Sequence, residues 1–259
     1  TEFKKGHKTW NKNLKGLYIK GSEKGWFKKG SNLSEYIKAK RLKNLRDKVL
    51  LKPRLEMSED LAYILGMIKG DGCVYKHSRS YRIVLDITNK NIAISFFDAL
   101  KNIGLNPFTR EQMPNNRIGK LKKHIVIASS KIFGEWYESL SLKRIEKLLC
   151  NKSDIIAFIR GFYEAEGSFG IYKNGRYFTS SISIFNTDLK LIKLTKRLLK
   201  KLGFKFNLNG PYDNTKSLGG MNAKPIYRLS RADKYEVNWF MKIIEPVAKM
   251  GDFNERRDV

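Results

Sequence analysis

Two acidic residues stand out by their position. Asp71 falls near the end of the stretch Leu61-Ala62-Tyr63-Ile64-Leu65-Gly66-Met67-Ile68-Lys69-Gly70-Asp71-Gly72, and Glu166 near the end of Ile155-Ile156-Ala157-Phe158-Ile159-Arg160-Gly161-Phe162-Tyr163-Glu164-Ala165-Glu166-Gly167. Aligning the two at an offset of 95 puts Asp71 on Glu166, Gly66 on Gly161, Gly70 on Ala165 and Gly72 on Gly167. Both stretches read as helices. Ser58 and Ser153 have N-cap chemistry, and the acids behind them suit the positive helix end. Apolar residues cover most of each circumference, so both helices are expected to be buried. An acid in the last turn, just before a C-capping glycine, opposes the macrodipole at about 0.3–1 kcal/mol.

Small residues four apart explain how the acids meet. Gly66/Gly70 and Gly161/Ala165 cut a flat groove on each helix, which lets two backbones approach closely. A glycine inside a helix costs about 1 kcal/mol against alanine, and close packing of the two helices is the compensating gain. Side-by-side packing brings both acids to one end. Two like charges at two negative helix ends need a cation. Oxygen ligands point to Mg²⁺, with Mn²⁺ or Ca²⁺ substituting in binding.

The whole chain supports a phosphate-rich partner. Its 259 residues carry 52 Lys+Arg against 25 Asp+Glu, a net charge of +27. Such a balance repels itself and suits a polyanion. The longest apolar run, Leu61–Ile68, is far short of the roughly 20 residues of a membrane span. The N-terminus is polar and basic, with no signal-peptide pattern, so an intracellular setting (cytoplasm, nucleoid or organelle matrix) is expected. Cys73 and Cys150 form no disulfide framework, and His7, His77 and His124 have no metal-ligand spacing.

The two stretches resemble the signature motifs of monomeric LAGLIDADG homing endonucleases. Ile64–Gly72 and Ile159–Gly167 fill the nine positions, with Asp71 and Glu166 at the acidic one. The resemblance covers roughly residues 58–250. It implies an α/β (α+β) fold of two pseudo-symmetric αββαββα halves, residues 57–150 and 151–259, forming a saddle of antiparallel sheets over DNA with the helices behind. It further implies that Asp71 and Glu166, with the carbonyls of Gly70 and Ala165, bind divalent metals. A polar residue near each attacking water is implied at Asn89 and Asn186. Lys90 is a candidate for transition-state charge, although Thr187 takes its place in the second half.

The strand pattern agrees independently. Tyr81, Ile83, Leu85 and Ile87 alternate with Arg82, Val84, Asp86 and Thr88, and Ile182 and Ile184 with Ser181, Ser183 and Phe185. Further strands are expected at Cys73–Lys76, Ser168–Lys173, His124–Ser129 and Pro225–Ser230. Helices are expected at about Ile92–Ile103 and Leu189–Leu202, each ended by a glycine (Gly104, Gly203), and at Lys131–Leu140 and Asp233–Ile244. DNA contact is expected from outward strand and turn residues. These are Tyr75, His77, Arg79, Arg82 and Asp86 in the first half, and Tyr172, Asn174, Arg176, Thr179, Ser181, Ser183 and Arg228 in the second. The halves differ at nearly all these positions, which fits a monomer on an asymmetric site of about two helical turns.

Residues 1–56 are a basic extension, with 17 Lys+Arg and 5 Asp+Glu. Phe3-Lys4-Lys5-Gly6-His7 returns as Phe27-Lys28-Lys29-Gly30-Ser31, and Gly6-His7-Lys8-Thr9-Trp10-Asn11-Lys12 resembles DNA-binding modules appended to nucleases. Lys4, Lys5, Lys8, Trp10, Lys12, Lys28 and Lys29 are expected on DNA, and a helix at about Ser34–Leu51. The resulting reading is a metal-dependent homing endonuclease acting on double-stranded DNA, with intron RNA as a further candidate partner. Two alternatives stay open. One is a cleavage-deficient intron splicing cofactor or regulator of this fold. The other is a structural nucleic-acid binder whose motif helices are only core.

Overall fold

The computed structural model describes residues 52–113, 121–174, 177–213 and 224–247, without the side chains of 173, 174, 177 and 178. The chain divides into two compact units, Thr1–Leu50 and Leu51–Val259, and every described residue lies in the second. Residues 52–56, placed in the extension on sequence grounds, belong to this second unit. Pro53 is buried, Leu55 packs on the core, and the Arg54 N–H donates to the Ile103 carbonyl at 2.7 Å.

The first half runs α1 (Glu59–Lys69), β1 (Gly72–His77), β2 (Ser80–Ile87), α2 (Lys90–Asn102), β3 (Phe108–Gln112), β4 (Lys123–Ser129) and α3 (Lys131–Glu138). A short α4 (Leu142–Leu148) leads to the second half. That half runs α5 (Lys152–Glu166), β5 (Gly167–Asn174), β6 (Tyr177–Asn186), α6 (Leu189–Lys201), β7 (Asn207–Tyr212), β8 (Ile226–Arg231) and α7 (Lys234–Ile244). Each half has one antiparallel four-stranded sheet, ordered β1-β2-β4-β3 and β5-β6-β8-β7. The fold is the pair of αββαββα halves that the motif resemblance implies.

Alternation builds the layers. Tyr81, Ile83 and Leu85 of β2 point inward, as do Ile182 and Ile184 of β6. The helices lie on that side. Phe96 and Leu100 of α2 and Leu194 and Leu198 of α6 join one core with α1 and α5. Gly104 and Gly203 stop α2 and α6 at φ 89° and 94°, in the left-handed region where glycine carries no Cβ penalty.

Three local expectations are corrected. Ser58 caps α1, accepting from Leu61 N–H at 3.3 Å, but the cap of α5 is Asn151 rather than Ser153. Asn151 starts α5 two residues before Ser153 without a side-chain cap bond, its Nδ2 donating to Asp154 Oδ2 at 3.4 Å, and Asp154 stands as an acid in the first turn. The second correction concerns α1, which ends at Lys69 with Gly70 as its cap, so Asp71 stands in the turn beyond the helix and Gly72 already belongs to β1. In the second half Glu166 does close α5, before Gly167. Third, the short helix α4 is additional to the αββαββα pattern, and the edge strands β3 and β7, which that pattern implies, lie where the alternation placed no strand.

Candidate metal centre and nucleic-acid interface

Close packing of α1 on α5 is written in what a side chain would hit. A Cβ on Gly66 would stand 2.2 Å from the Phe158 carbonyl oxygen and 2.8 Å from Phe162 N. A Cβ on Gly161 would stand 2.3 Å from the Tyr63 carbonyl oxygen and 3.0 Å from Met67 N. The contacts are reciprocal, each glycine pressed on the other helix's backbone. One turn on, a Cβ on Gly70 would lie 2.3 Å from Ala165 Cβ and 3.1 Å from Glu166 Cγ. The two motif ends therefore meet, and Gly70-Asp71 and Ala165-Glu166 share one end of the helix pair.

The two acids are held differently. Asp71 is exposed, whereas Glu166 is half-buried and its Oε1 accepts from Asn186 Nδ2 at 2.7 Å. Asn186 is itself fixed, since its Oδ1 accepts from Asp188 N–H at 2.8 Å. Asn89 does something else. Its Oδ1 accepts from the backbone N–H groups of Asn91 and Ile92 at 2.9 and 3.2 Å, so it is the N-cap of α2. Lys90 is exposed as the first residue of that helix. Among the described residues no group of three or more His, Cys, Asp and Glu side chains stands together. Asp71 and Glu166, brought to one end of the helix pair, offer carboxylate oxygens, the donor chemistry that hard divalent cations take.

A polar pair that the sequence reading passed over crosses the same helix interface. Tyr63 of α1 donates through its hydroxyl to Glu164 Oε2 of α5 at 2.5 Å. Glu164 is buried, and its Oε1 accepts from Val247 N–H at 2.7 Å, tying the chain after α7 to the helix pair. Burial, then the Glu164 charge and the hydrogen bond to it, hold the Tyr63 phenol far above its ordinary pKa. The signal lay in the motif alignment, in which the offset of 95 pairs Tyr63 with Phe158 and Glu164 with Lys69. Lys69 instead lies over the Tyr137 ring, 4.7 Å from its centroid.

The outer faces of the two sheets differ in chemistry. On the first, Tyr75 pairs with Arg82 across β1 and β2, and Tyr75 and His77 meet edge to face at 6.5 Å. Tyr75, His77, Arg79 and Asp86 are exposed and Arg82 is half-buried. Asp86 already pairs with Lys123 Nζ at 3.1 Å. β3, which no alternation places, adds two residues that the sequence did not single out, Arg110, which lies beside Ile125 in the row of Asp86, and Gln112 beside Lys123.

The second sheet carries mostly hydroxyls and amides. Tyr172 is exposed and pairs with Thr179, and Gly170 pairs with Ser181. Thr179 and Ser181 are half-buried. Ser183, expected to face the DNA openly, is buried at 8% exposure between Ser168 and Ser230, with Ser230 accepting from Asn209 Nδ2 at 3.0 Å. Arg228 is half-buried beside Phe185 and Asn209, its Nε enclosed without a hydrogen bond among the described residues. Arg176 and the Asn174 side chain lie outside the described residues, as do Lys4, Lys5, Lys8, Trp10, Lys12, Lys28, Lys29 and the helix expected at Ser34–Leu51.

Comparisons with known proteins point the same way. The LAGLIDADG-like domain family matches residues 58–140 and again 153–245. The uncharacterized protein MJ0314 of Methanocaldococcus jannaschii is 36% identical over 161 residues, 61% of this chain and 59% of its own length. The match to MJ0398 of the same organism spans 50% of that protein at 31% identity, so this chain spans between half and three-fifths of these two relatives. Homing endonuclease I-DmoI of Desulfurococcus mucosus is 27% identical over 147 residues, 55% of this chain and 70% of its own. The structure of I-DmoI in complex with DNA and Mn shares the fold, with a TM-score of 0.51 at 24% identity over 73% of this chain and 97% of that one. Full-length DUF199/WhiA from Thermatoga maritima shares it as well, with a TM-score of 0.52 at 16% identity over 79% of this chain and 61% of that one. With a family match over each half, two mutually packed motif helices and two sheets of identical strand order, this chain belongs to the LAGLIDADG-like family, in the two-domains-per-chain form.

Proposed function

We propose that this protein is a homing endonuclease, acting as a monomer, that makes a metal-dependent double-strand break in a long, asymmetric DNA target and so initiates intron homing. The observation that carries the reading is the convergence of Gly70-Asp71 and Ala165-Glu166 at one end of the helix pair. Asp71, Glu166 and the carbonyls of Gly70 and Ala165 would hold divalent cations, Mg²⁺ by donor chemistry. I-DmoI, solved with DNA and with Mn or Ca, supports both ligands. Bound cations supply charge stabilisation at the phosphorus and a more acidic water.

The chain's own residues divide the remaining work. Asn186 orients the Glu166 carboxylate, and the two sheet faces bind duplex DNA, the first through Tyr75, His77, Arg79, Arg82 and Asp86 and the second through Tyr172, Thr179, Ser181 and Arg228. Arg110, Gln112 and Lys123 join them from the strand pairs that only the fold brought together. Lysines of the N-terminal extension are assigned to phosphates, which position the protein without reading sequence.

One observation favours the alternative, a cleavage-deficient regulator or intron splicing cofactor of the same fold. Asn89, expected beside one attacking water, is committed to capping a helix. A cleavage-site selection from a random duplex library in Mg²⁺ separates the two. Discrete double-strand cuts that disappear with Asp71→Asn support the nuclease, and library binding without cuts supports the alternative.

A further inference from the structure

The strongest charge asymmetry in the described residues is on a helix that the sheets hold away from the proposed target. The sequence of α6 places Lys190, Lys193, Lys196, Arg197, Lys200 and Lys201 on 13 residues with no acid among them. Its counterpart α2 occupies the same place in the first half, also 13 residues long, with Lys90 and Lys101 offset by Asp98. The fold therefore does not require the cations, because the same position is filled without them. Like charges at i,i+3 and i,i+4 destabilise a helix, and α6 stacks several. Lys190, in the first turn, also opposes the macrodipole.

These cations face away from the sheet. Leu191, Ile192, Leu194, Leu198 and Leu199 of α6 are buried in one core with Ile182 and Ile184 of β6 and Leu229 of β8. The charged side chains are all on the exposed face. The short α4 packs beside α6 and extends the patch. A cavity of about 420 Å³ lies there, lined by Lys143, Glu146, Lys147, Leu149, Cys150 and Lys201. Its one acid is already engaged, since Glu146 accepts two hydrogen bonds from Arg197 at 2.9 and 2.7 Å. Thirteen helical residues make a straight stripe of about 20 Å. A stripe of that length faces about six phosphates of one strand, at 3.4 Å per phosphate along the axis.

From this we infer that the α4–α6 face is a second DNA-binding surface, gripping a separate stretch of duplex through its phosphates while the sheets hold the target. The occupant is argued from charge complementarity and stripe length, and the inference rests on the proposed reading only for the first duplex. A protein with two such faces bridges two DNA segments. Phosphate contact alone makes the second face indifferent to sequence.

The test uses the full chain in EDTA, with one duplex immobilised and a labelled duplex of unrelated sequence in solution, over a salt series. The parent is expected to capture the second duplex. K193E/K196E/K200E is expected to keep its affinity for the immobilised duplex and to lose capture by about tenfold or more, with a salt slope shallower by about 2.7, the value for three phosphate contacts. K193Q/K196Q/K200Q, which introduces no new charge, is expected to do the same more weakly. The inference is overturned if both variants capture like the parent, if the parent captures no second duplex or only an RNA hairpin, or if first-duplex binding falls in equal measure. An Arg82→Glu, Tyr75→Ala variant that binds the immobilised duplex like the parent would sink the sheet reading instead, and leave the helix face standing.

Discussion

The two halves share strand order, helix order and a reciprocal glycine contact, and spend their surface residues differently. The first half puts Arg82, Asp86, Arg110 and Lys123 on its sheet and leaves α2 close to neutral. The second half lines its sheet with Ser168, Ser181, Ser183, Ser230 and Asn209, and concentrates charge on α6. The same contrast reaches the paired acids. Glu166 is gripped by Asn186, while Asn89, its sequence counterpart, caps a helix. Core positions are tied by packing that both halves must satisfy at once, so they stay alike. Surface positions are free of that constraint, and in a single chain each half can specialise.

The sharpest way to probe the comparison is at the acids. Asp71→Asn and Glu166→Gln are each expected to lower double-strand cleavage roughly a thousandfold, the scale on which removal of a charge-stabilising active-site group is felt. DNA affinity should hold or rise, because a negative charge beside phosphate has gone. Equal cleavage by either variant and the parent, in a gel assay with Mg²⁺, would show that the motif ends do no chemistry.

The asparagines should then separate the halves. Asn186→Ala is expected to cost about 10–100-fold in activity, as loss of a group orienting a metal ligand does, and nicked DNA should accumulate. Asn89→Ala should cost about 0.5–2 kcal/mol of stability, the value of a helix N-cap, with cleavage per folded molecule little changed. Matching activity losses in the two would erase the asymmetry.

At the helix interface the halves should instead behave alike. Gly66→Ala and Gly161→Ala each drive a Cβ into a backbone carbonyl of the other helix, and each is expected to destabilise by about 1–3 kcal/mol or more. Denaturant melts that differ widely between the two would break the reciprocity.

The last test belongs to the unsymmetrical pair. Tyr63→Phe removes one of the hydrogen bonds to buried Glu164, at about 1–3 kcal/mol. It also changes the alkaline limb. The folded phenol is raised above its unfolded value of 10.0, so its contribution is whole below that pH and is lost as pH rises beyond it. Stability measured through that range should fall less steeply in Tyr63→Phe than in the parent.

Much of this molecule is local and so was legible in the residues. Helix and strand periods, glycine stops at 104 and 203, and the doubled acid-bearing motif depend on neighbours in the chain. Elements without a period escaped. Along β3 four of the five residues are exposed and give no alternation, and β7 contains Gly210-Pro211, which reads as a breaker and is tolerated at a sheet edge. The end of α1 lies two residues earlier than the sequence implies, because whether a helix stops at Gly70 or Gly72 is decided by the strand it must enter. Burial of Ser183 and engagement of Asn186 with Glu166 are likewise tertiary, set by side chains that meet only across the fold. The residues alone determined that two similar halves would pack through small faces with an acid at each end. Which groups hold each acid, which polar residues stay exposed and where the surplus charge stands were decided by packing. Those choices depend on distances between residues remote in the chain, and no local pattern encodes them.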